Sequence, residues 1–284
     1  FGNTVVISFA NTDSTDPRGA TNRVAYYMVS TNGGTTWEAP LAVSTLPSMS
    51  GYPEVHTYVL GGQDQIVITG RKYTTASRGG AWKDAFFGLG SFTGANVPLE
   101  GRDYFGAYLN GTFTGGLTSF PNGTVEDTLY FTKYDGSNNS FGTRVKVADP
   151  GLAQIGGNVR YRMAADASGN NLLAMWYKDS TGTSFSKLML SNSVNGGTSW
   201  STPQIVQRTR GLNSLLAPGD TCMTWFGLDA AYKPATTNYG VVWSTLGPTA
   251  DNTGGNTASN GSCKILFYAP EINGGVPTIV AGRQ

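Results

Sequence analysis

Three carboxylates lie at the starts of widely separated strand-like segments. Glu54 lies in Y-P-E-V-H, Asp103 in G-R-D-Y-F and Asp220 in P-G-D-T-C. The chain has only 18 acidic residues, so this recurrence predicts a polar cluster if the segments surround a common axis. Two carboxylates beside a sugar can hydrolyse a glycosidic bond, one as the acid and the other as base or nucleophile. The alternative is that they hydrogen-bond loops or line a solvated channel.

Cationic and aromatic residues near these segments suit carbohydrate binding. Arg160 and Arg162, in N-V-R-Y-R-M, could hold a substrate carboxylate in a bidentate pair. Aromatic rings stack on sugar rings, and the candidates are Tyr52, Trp82, Tyr104, Tyr161 and Trp225. The alternative for these rings is packing in a hydrophobic core.

A repeated turn marks the strands that must position these residues. Ser30–Trp37 reads S-T-N-G-G-T-T-W and Ser193–Trp200 reads S-V-N-G-G-T-S-W. The asparagine can hydrogen-bond nearby backbone, glycine supplies positive φ, and tryptophan can fold back over the turn. We call these segments the first and second octets, and each is predicted to join two strands of a hairpin.

Weaker copies of the octet extend the repetition along the chain. They are Lys133–Phe141, Glu271–Pro277 and, with little beyond its position, Ser91–Asn96. In the second repeat, D-A-F-F-G (84–88) is predicted to be the third strand and N-V-P-L (96–99) the fourth. Repetition in a strand-rich chain is typical of a β-propeller.

The predicted fold is all-β, a β-propeller of four-stranded antiparallel blades in a single domain, residues 1–284. Five blades are favoured, and six remain if the long fifth repeat is really two. The first blade lacks its inner strand because the pattern begins at a second strand. An open sheet edge exposes unpaired backbone groups, so the strand could be cut away, never present, or supplied by another segment, for example by another copy in a homo-oligomer.

From Val5 to Pro40 the sequence resembles the Asp-box, or bacterial neuraminidase repeat, sialidase-like propellers. In that family the turn joins the third and fourth strands of a blade. The resemblance implies a scaffold rather than an activity, because the turn occurs in hydrolases, lectin-like proteins and receptors alike.

Sialidases of this family use an arginine triad, an aspartic acid and a tyrosine–glutamate pair. The resemblance implies Asp13 or Asp16 as the acid, because both lie in the loop that matches the family's loop before the first Asp-box. Arg71, Arg160 or Arg162 could fill triad positions, and the available tyrosines are Tyr104, Tyr161 and Tyr239. The Arg-Ile-Pro motif of the family is not in the sequence, so an ordinary active sialidase is not expected.

The sequence predicts no cofactor. His56 is the single histidine and has no cysteine neighbour, which disfavours zinc or copper. No D-x-D-x-D-G loop marks calcium, although Gly/Asn turns could bind calcium through carbonyl oxygens. The segment Gly88–Gly94 precedes no predicted helix, so a phosphate cradle is not expected.

Charge and hydropathy limit the partners. A net charge of +1 without a basic run argues against nucleic acid as a partner, and no apolar stretch is long enough for membrane insertion.

A chain that begins at Phe1 looks processed, which predicts a secreted or cell-surface protein. Cys222 and Cys263 could form a disulfide or remain two thiols. The N-x-S/T sites are Asn110, Asn122, Asn138 and Asn260.

These observations favour a secreted, lectin-like propeller that binds a glycan or glycoconjugate. One alternative is a glycoside hydrolase that uses Glu54, Asp103, Asp220 and Asp16, with Arg71 among its binding residues. A second alternative is a structural or assembly protein that completes its first blade by strand exchange.

Overall fold

Strands and tight turns make up the computed structural model. It describes residues 2–12, 23–43, 49–73, 77–98, 101, 104–122, 126–153, 161–179, 186–207, 223–246 and 264–282. These residues contain no α-helix, and a 3-10 turn covers Asn273–Gly275. No helix in these ranges is long and apolar enough to cross a membrane.

The described strands form five antiparallel sheets, each built from consecutive strands. Sheet 1 contains β1 (Val5–Thr12), β2 (Arg23–Ser30) and β3 (Leu41–Ala42). Sheet 2 contains β4 (Met49–Leu60), β5 (Gln63–Tyr73), β6 (Ser77–Asp84) and β7 (Phe92–Asn96). Sheet 3 contains β8 (Phe105–Asn110), β9 (Phe113–Asn122), β10 (Glu126–Asp135), β11 (Ser140–Phe141) and β12 (Val145–Ala153), and both β11 and β12 pair with β10.

The last two sheets have four strands each. Sheet 4 contains β13 (Tyr161–Ala165), β14 (Leu172–Asp179), β15 (Ser186–Ser193) and β16 (Gln204–Gln207). Sheet 5 contains β17 (Met223–Tyr232), β18 (Tyr239–Leu246), β19 (Lys264–Tyr268) and β20 (Thr278–Gly282). The predicted five repeats, with three strands in the first, are therefore confirmed.

The strand assignment in the second repeat was wrong. Its third strand is β6, Ser77–Asp84, and its fourth is β7, Phe92–Asn96. The D-A-F-F-G segment instead begins a turn, because the buried Asp84 carboxylate accepts hydrogen bonds from the N–H groups of Gly90 and Ser91. The weak copy at Ser91–Asn96 consequently lies mostly in β7, and the turn precedes it.

The chain divides into two compact units, Phe1–Phe120 with Tyr130–Val145, and Pro121–Leu129 with Lys146–Gln284. The prediction of one domain therefore stays a prediction. In the first unit, one core lies between sheets 1 and 2 and includes Tyr27, Ile68 and Trp82. Another joins sheets 2 and 3 and includes Tyr58 and Tyr104.

The second unit has a core between sheets 4 and 5. It includes Met175, Tyr177, Leu188, Val241 and Trp243, all nearly inaccessible to solvent. Burying such a side chain contributes roughly 1.5–3 kcal/mol each. The alternation of buried and exposed residues along β18 shows how this face forms, since Val241 and Trp243 face the core and Val242 is exposed.

The two octets have the same hydrogen-bond network. In the second octet, Asn195 Oδ1 accepts from Ser199 N at 3.0 Å, and Ser193 Oγ accepts from Gly197 N at 2.9 Å. The matching distances in the first octet are 2.9 Å and 2.8 Å. Both glycines of each pair have positive φ, 64° and 85° in the second octet. The predicted local chemistry of the turn is confirmed.

We expect Asn195→Ala to lower the free energy of unfolding by about 1 kcal/mol, as loss of a capping side chain does. Its amide accepts from Ser193 Oγ and Ser199 N and donates to Ser199 Oγ. Asn195→Asp keeps the acceptor oxygen and is the matched control. The midpoint of urea unfolding measures both variants, and an unchanged midpoint for Asn195→Ala would contradict the assigned network.

Candidate functional site

A bulge in β4 distorts the first unit near the start of that strand. Gly51 pairs with Arg71, whereas Glu54 pairs with Thr69, so the register shifts between Gly51 and Glu54. Tyr52, inside the bulge, has φ 53°. Positive φ is rare for a bulky side chain and costs roughly 1–2 kcal/mol, and both bulges and such strain concentrate at functional sites.

The Tyr52 ring contacts a cation and another aromatic ring. Arg71 Cζ lies 5.0 Å from the Tyr52 ring centroid, and the Phe105 ring meets Tyr52 edge-on at 6.4 Å between centroids. Arg71 is only 5% exposed, whereas Tyr52 is partly exposed. The guanidinium thus lies beneath an aromatic ring that reaches the surface, an arrangement stabilised by cation–π attraction.

Glu54 lies two residues beyond Tyr52 and contacts sheet 3. Its Oε2 accepts a hydrogen bond from Gly106 N in β8 at 2.9 Å, and the side chain is partly buried. An ionised carboxylate only accepts hydrogen bonds, so the chemistry of Glu54 suits N–H and hydroxyl donors. Glu54 and Arg71 lie on one face of sheet 2. Glu54 is opposite Thr69, and Thr69 and Arg71 are two residues apart in β5, so all three side chains point to the same side.

His56 continues this face of β4. Its Nε2 lies 3.0 Å from Thr69 Oγ1. Burial lowers the pKa of His56 from 6.5 to about 4, so its imidazole is neutral at pH 7. We call Tyr52, Glu54, His56, Thr69 and Arg71 the bulge cluster.

Arg162 belongs to the second unit and is described separately. It lies in β13, is partly buried, and donates from Nη1 to the carbonyl oxygen of Tyr161 at 3.3 Å. Tyr177 donates to the carbonyl oxygen of Gly227, and burial raises the pKa of Tyr177 while the positive charge of Arg162 opposes this shift. Arg162 thus lies in the first strand of sheet 4, and its role in substrate binding stays a prediction.

Three predicted stacking residues belong to the core instead. Tyr104 and Tyr161 are fully buried, and Trp82 is 5% exposed. The Tyr104 hydroxyl donates to the carbonyl oxygens of Thr114 and Thr132, both at 3.0 Å. The predicted stacking role of these three rings is therefore wrong, because side chains this deeply buried have no face open to a ligand. Tyr239 is also buried.

Several predicted site residues lie outside the described residues. They are Asp13, Asp16, Asp103, Arg160, Asp220, Cys222, Asn260 and Cys263, and the side chains of Asn122 and Trp225 are likewise not described. The acid in the loop, the carboxylate trio and the disulfide therefore stay predictions. Asn110 and Asn138 are exposed at turns, which leaves their glycosylation a prediction as well.

The bulge and the hydrogen bond between His56 and Thr69 were not predicted from the sequence. A signal for the bulge was present in G-Y-P-E, since proline in a strand is confined to edges, strand starts or bulges. In the described part of the chain, no three His, Cys, Asp or Glu side chains could hold a metal ion together. The absence of a cofactor stays a prediction.

Solved structures share the fold of this chain at low sequence identity. No protein-family model matches the chain, and no curated protein matches it. A protein of unknown function from Dyadobacter fermentans DSM 18053 is 10% identical with a TM-score of 0.52, covering 98% of this chain and 90% of that one. The Hadza microbial sialidase Hz136 is 11% identical with a TM-score of 0.51, covering 85% of this chain and 50% of that one, so the match spans half of the sialidase. Together with the five antiparallel sheets, this similarity confirms an all-β propeller fold.

Proposed function

We propose that the protein is a secreted, lectin-like propeller of the Asp-box superfamily that binds a glycan through the bulge cluster. The observation that carries the proposal is the Tyr52 ring, held at a strained bulge over Arg71 and partly exposed. Strain kept at a surface position is characteristic of binding and catalytic sites. The similarity to a structure named as a sialidase supports carbohydrate as the ligand class.

Each member of the cluster has a role in this proposal. The exposed part of Tyr52 stacks on the apolar face of a pyranose ring, as aromatic rings do in carbohydrate sites. Glu54 accepts hydrogen bonds from sugar hydroxyls, and its bond to Gly106 N fixes the carboxylate in place. Arg71 acts from beneath by orienting the Tyr52 ring, because it is itself buried.

Binding is favoured over hydrolysis by the chemistry of the described residues. Most glycoside hydrolases use two carboxyl groups that face the glycosidic bond. The bulge cluster contains one, Glu54, and it already accepts a backbone N–H group. A glycoside hydrolase that recruits Asp103 or Asp220 is the alternative, and turnover of a glycoside would select it.

We expect a glycan array to show saturable binding that Tyr52→Ala weakens about tenfold, equivalent to about 1.4 kcal/mol, while Tyr52→Phe retains it. Tyr108→Ala is the matched control, because Tyr108 is an exposed tyrosine in β8 that is outside the bulge cluster. Titration calorimetry on the best glycan measures the change, and circular dichroism checks the fold.

Two results would overturn the proposed function. One is the absence of any bound glycan on the array, and the other is equal affinity for wild type and Tyr52→Ala. A panel of chromogenic glycosides run in parallel separates binding from hydrolysis, because a lectin-like protein leaves every chromogen attached.

A further inference from the structure

The turn between β6 and β7, residues 85–91, holds an aromatic side chain in solvent. Phe86 is 66% exposed, whereas its neighbour Phe87 packs against the core between sheets 1 and 2. An exposed phenyl ring forgoes the roughly 1.5–3 kcal/mol that its full burial would contribute. A single exposed apolar side chain is ordinary on a protein surface, so the meaning of Phe86 depends on what surrounds it.

Hydrogen bonds fix the backbone that carries Phe86. Ala85 N donates to Ser91 O at 2.9 Å, and Leu89 N donates to Phe86 O at 3.0 Å. The buried Asp84 carboxylate also accepts from Ser91 N at 2.9 Å. Because the turn is already ordered in this way, a ligand that contacts the Phe86 ring does not have to order the turn on binding.

A cavity of about 330 Å³ opens beside this ring. It is lined on one side by the two phenylalanines and on the other by the start of β5 and the turn before it, Gly62, Gln63, Asp64 and Gln65. Gln63 is exposed and Asp64 is partly exposed, so both side chains are accessible to a ligand. A cavity near the lower end of the usual size range suits a ligand of a single ring. We call these six residues the turn cavity.

The residues of the turn cavity favour one class of ligand. An apolar ligand would desolvate the Gln63 amide and the Asp64 carboxylate without bonding them. An anionic ligand would meet the charge of Asp64, and the residues that line the cavity include no Lys, Arg or His. Quaternary ammonium ions are bound by cages of several aromatic rings, whereas Phe87 packs against the core.

A neutral pyranose matches this lining. Its apolar face can stack on the exposed Phe86 ring, and its hydroxyl groups can donate to Asp64 and bond the Gln63 amide. A hydrophobic partner surface would instead contact Leu89 as well. Leu89 is 57% exposed in the same turn but is not among the residues of the turn cavity, so it distinguishes the two kinds of partner.

We propose that the turn cavity is a second binding site, which takes one neutral pyranose unit of a glycan. Glu54 and Leu60 are six residues apart in β4, and Leu60 pairs with Gln63, so the site lies about 20 Å from the bulge cluster at the other end of the strand. The site is separate from the one proposed above and does not depend on it. A chain with both sites can bind two glycan ends at once.

Backbone amide shifts in NMR spectra of the purified protein test this site. The probes are the methyl glycosides of glucose, galactose, mannose and N-acetylglucosamine. We expect at least one of them to shift the amides of Gln63, Phe86 and Leu89 in a saturable manner. N-acetylneuraminic acid, which is anionic, and tetramethylammonium should leave these three amides unchanged.

Variants of exposed residues separate the cavity from the apolar surface of the turn. Phe86→Ala should weaken binding of the best glycoside about tenfold, whereas Phe86→Trp keeps a stacking ring and should retain it. Gln63→Ala should also weaken binding, because it removes the amide. Leu89→Ala is the matched control and should bind as wild type does. Circular dichroism checks that each variant is folded.

Three results would overturn the proposal. They are the absence of a shift at these amides with all four glycosides, saturation by tetramethylammonium instead, and equal weakening by Phe86→Ala and Leu89→Ala. The last result would assign binding to the apolar surface of the turn. The amides of Tyr52 and Gly106 report on the bulge cluster in the same spectra, so a failure of that site is read separately.

Discussion

Asp84→Ala should lower the free energy of unfolding by about 3–5 kcal/mol. Asp84 is fully buried and accepts from Tyr27 Oη at 2.8 Å, Gly90 N at 3.0 Å and Ser91 N at 2.9 Å. Its removal takes the carboxylate acceptor away from all three donors, and each buried group left unsatisfied costs about 1–3 kcal/mol. Urea unfolding followed by tryptophan fluorescence measures the loss.

Two matched variants separate the contributions at this site. Asp84→Asn keeps one oxygen acceptor in a side chain of the same shape, so it should lose less than Asp84→Ala. Tyr27→Phe removes the hydroxyl that donates to Asp84, so no unsatisfied donor remains at this position. We therefore expect the free energy of unfolding to fall by about 1 kcal/mol. If Asp84→Ala unfolds at the same urea concentration as wild type, the carboxylate does not organise the turn after β6.

Acidification from pH 6.5 to about pH 4 should destabilise the protein through His56. Its pKa is about 4 in the folded state because of burial, and 6.5 is the ordinary value that the unfolded chain restores. The unfolded state therefore binds a proton that the folded state does not, and stability falls as the pH is lowered through this interval. Because His56 retains some exposed area, we expect a loss of about 2 kcal/mol.

His56→Gln is the control for this effect, since glutamine does not titrate and can still bond Thr69. The difference in unfolding free energy between wild type and His56→Gln should shrink or reverse between pH 7 and pH 4.5. The pKa values of Asp135 and Asp166 are lowered from 3.8, so the stability that these carboxylates contribute is lost mainly below this interval. A constant difference across the range would show that His56 titrates normally.

The sequence predicts the parts of this fold that local chemistry determines. Asn195 and the two glycines after it specify the second octet, because a short amide and positive φ can satisfy the turn with few other residues. The same reasoning failed at D-A-F-F-G, where an apolar run looked like a strand. The segment forms a turn instead, because the buried Asp84 accepts hydrogen bonds from the backbone of Gly90 and Ser91, which hydropathy alone does not show.

The candidate site was predicted only in part, since packing between sheets decides it. Glu54 and Arg71 were identified by residue type, and the register of β4 with β5 brings them to one face. Tyr104 and Trp82 have the composition of a binding surface, but neighbouring sheets bury them. Positive φ at Tyr52 contradicts its local preference and is enforced by Arg71 and Phe105, which are distant in sequence.

The consecutive order of strands within each sheet has a consequence for folding. The described strands pair with neighbours along the chain, so most sheets can form by successive hairpins; sheet 5 is the exception, because residues 247–263 separate β18 from β19. Nucleation can then begin in a sheet with four well-paired strands. Sheet 1 has three strands, and β3 contributes only two residues, so we expect it to be the last to form and the first to open.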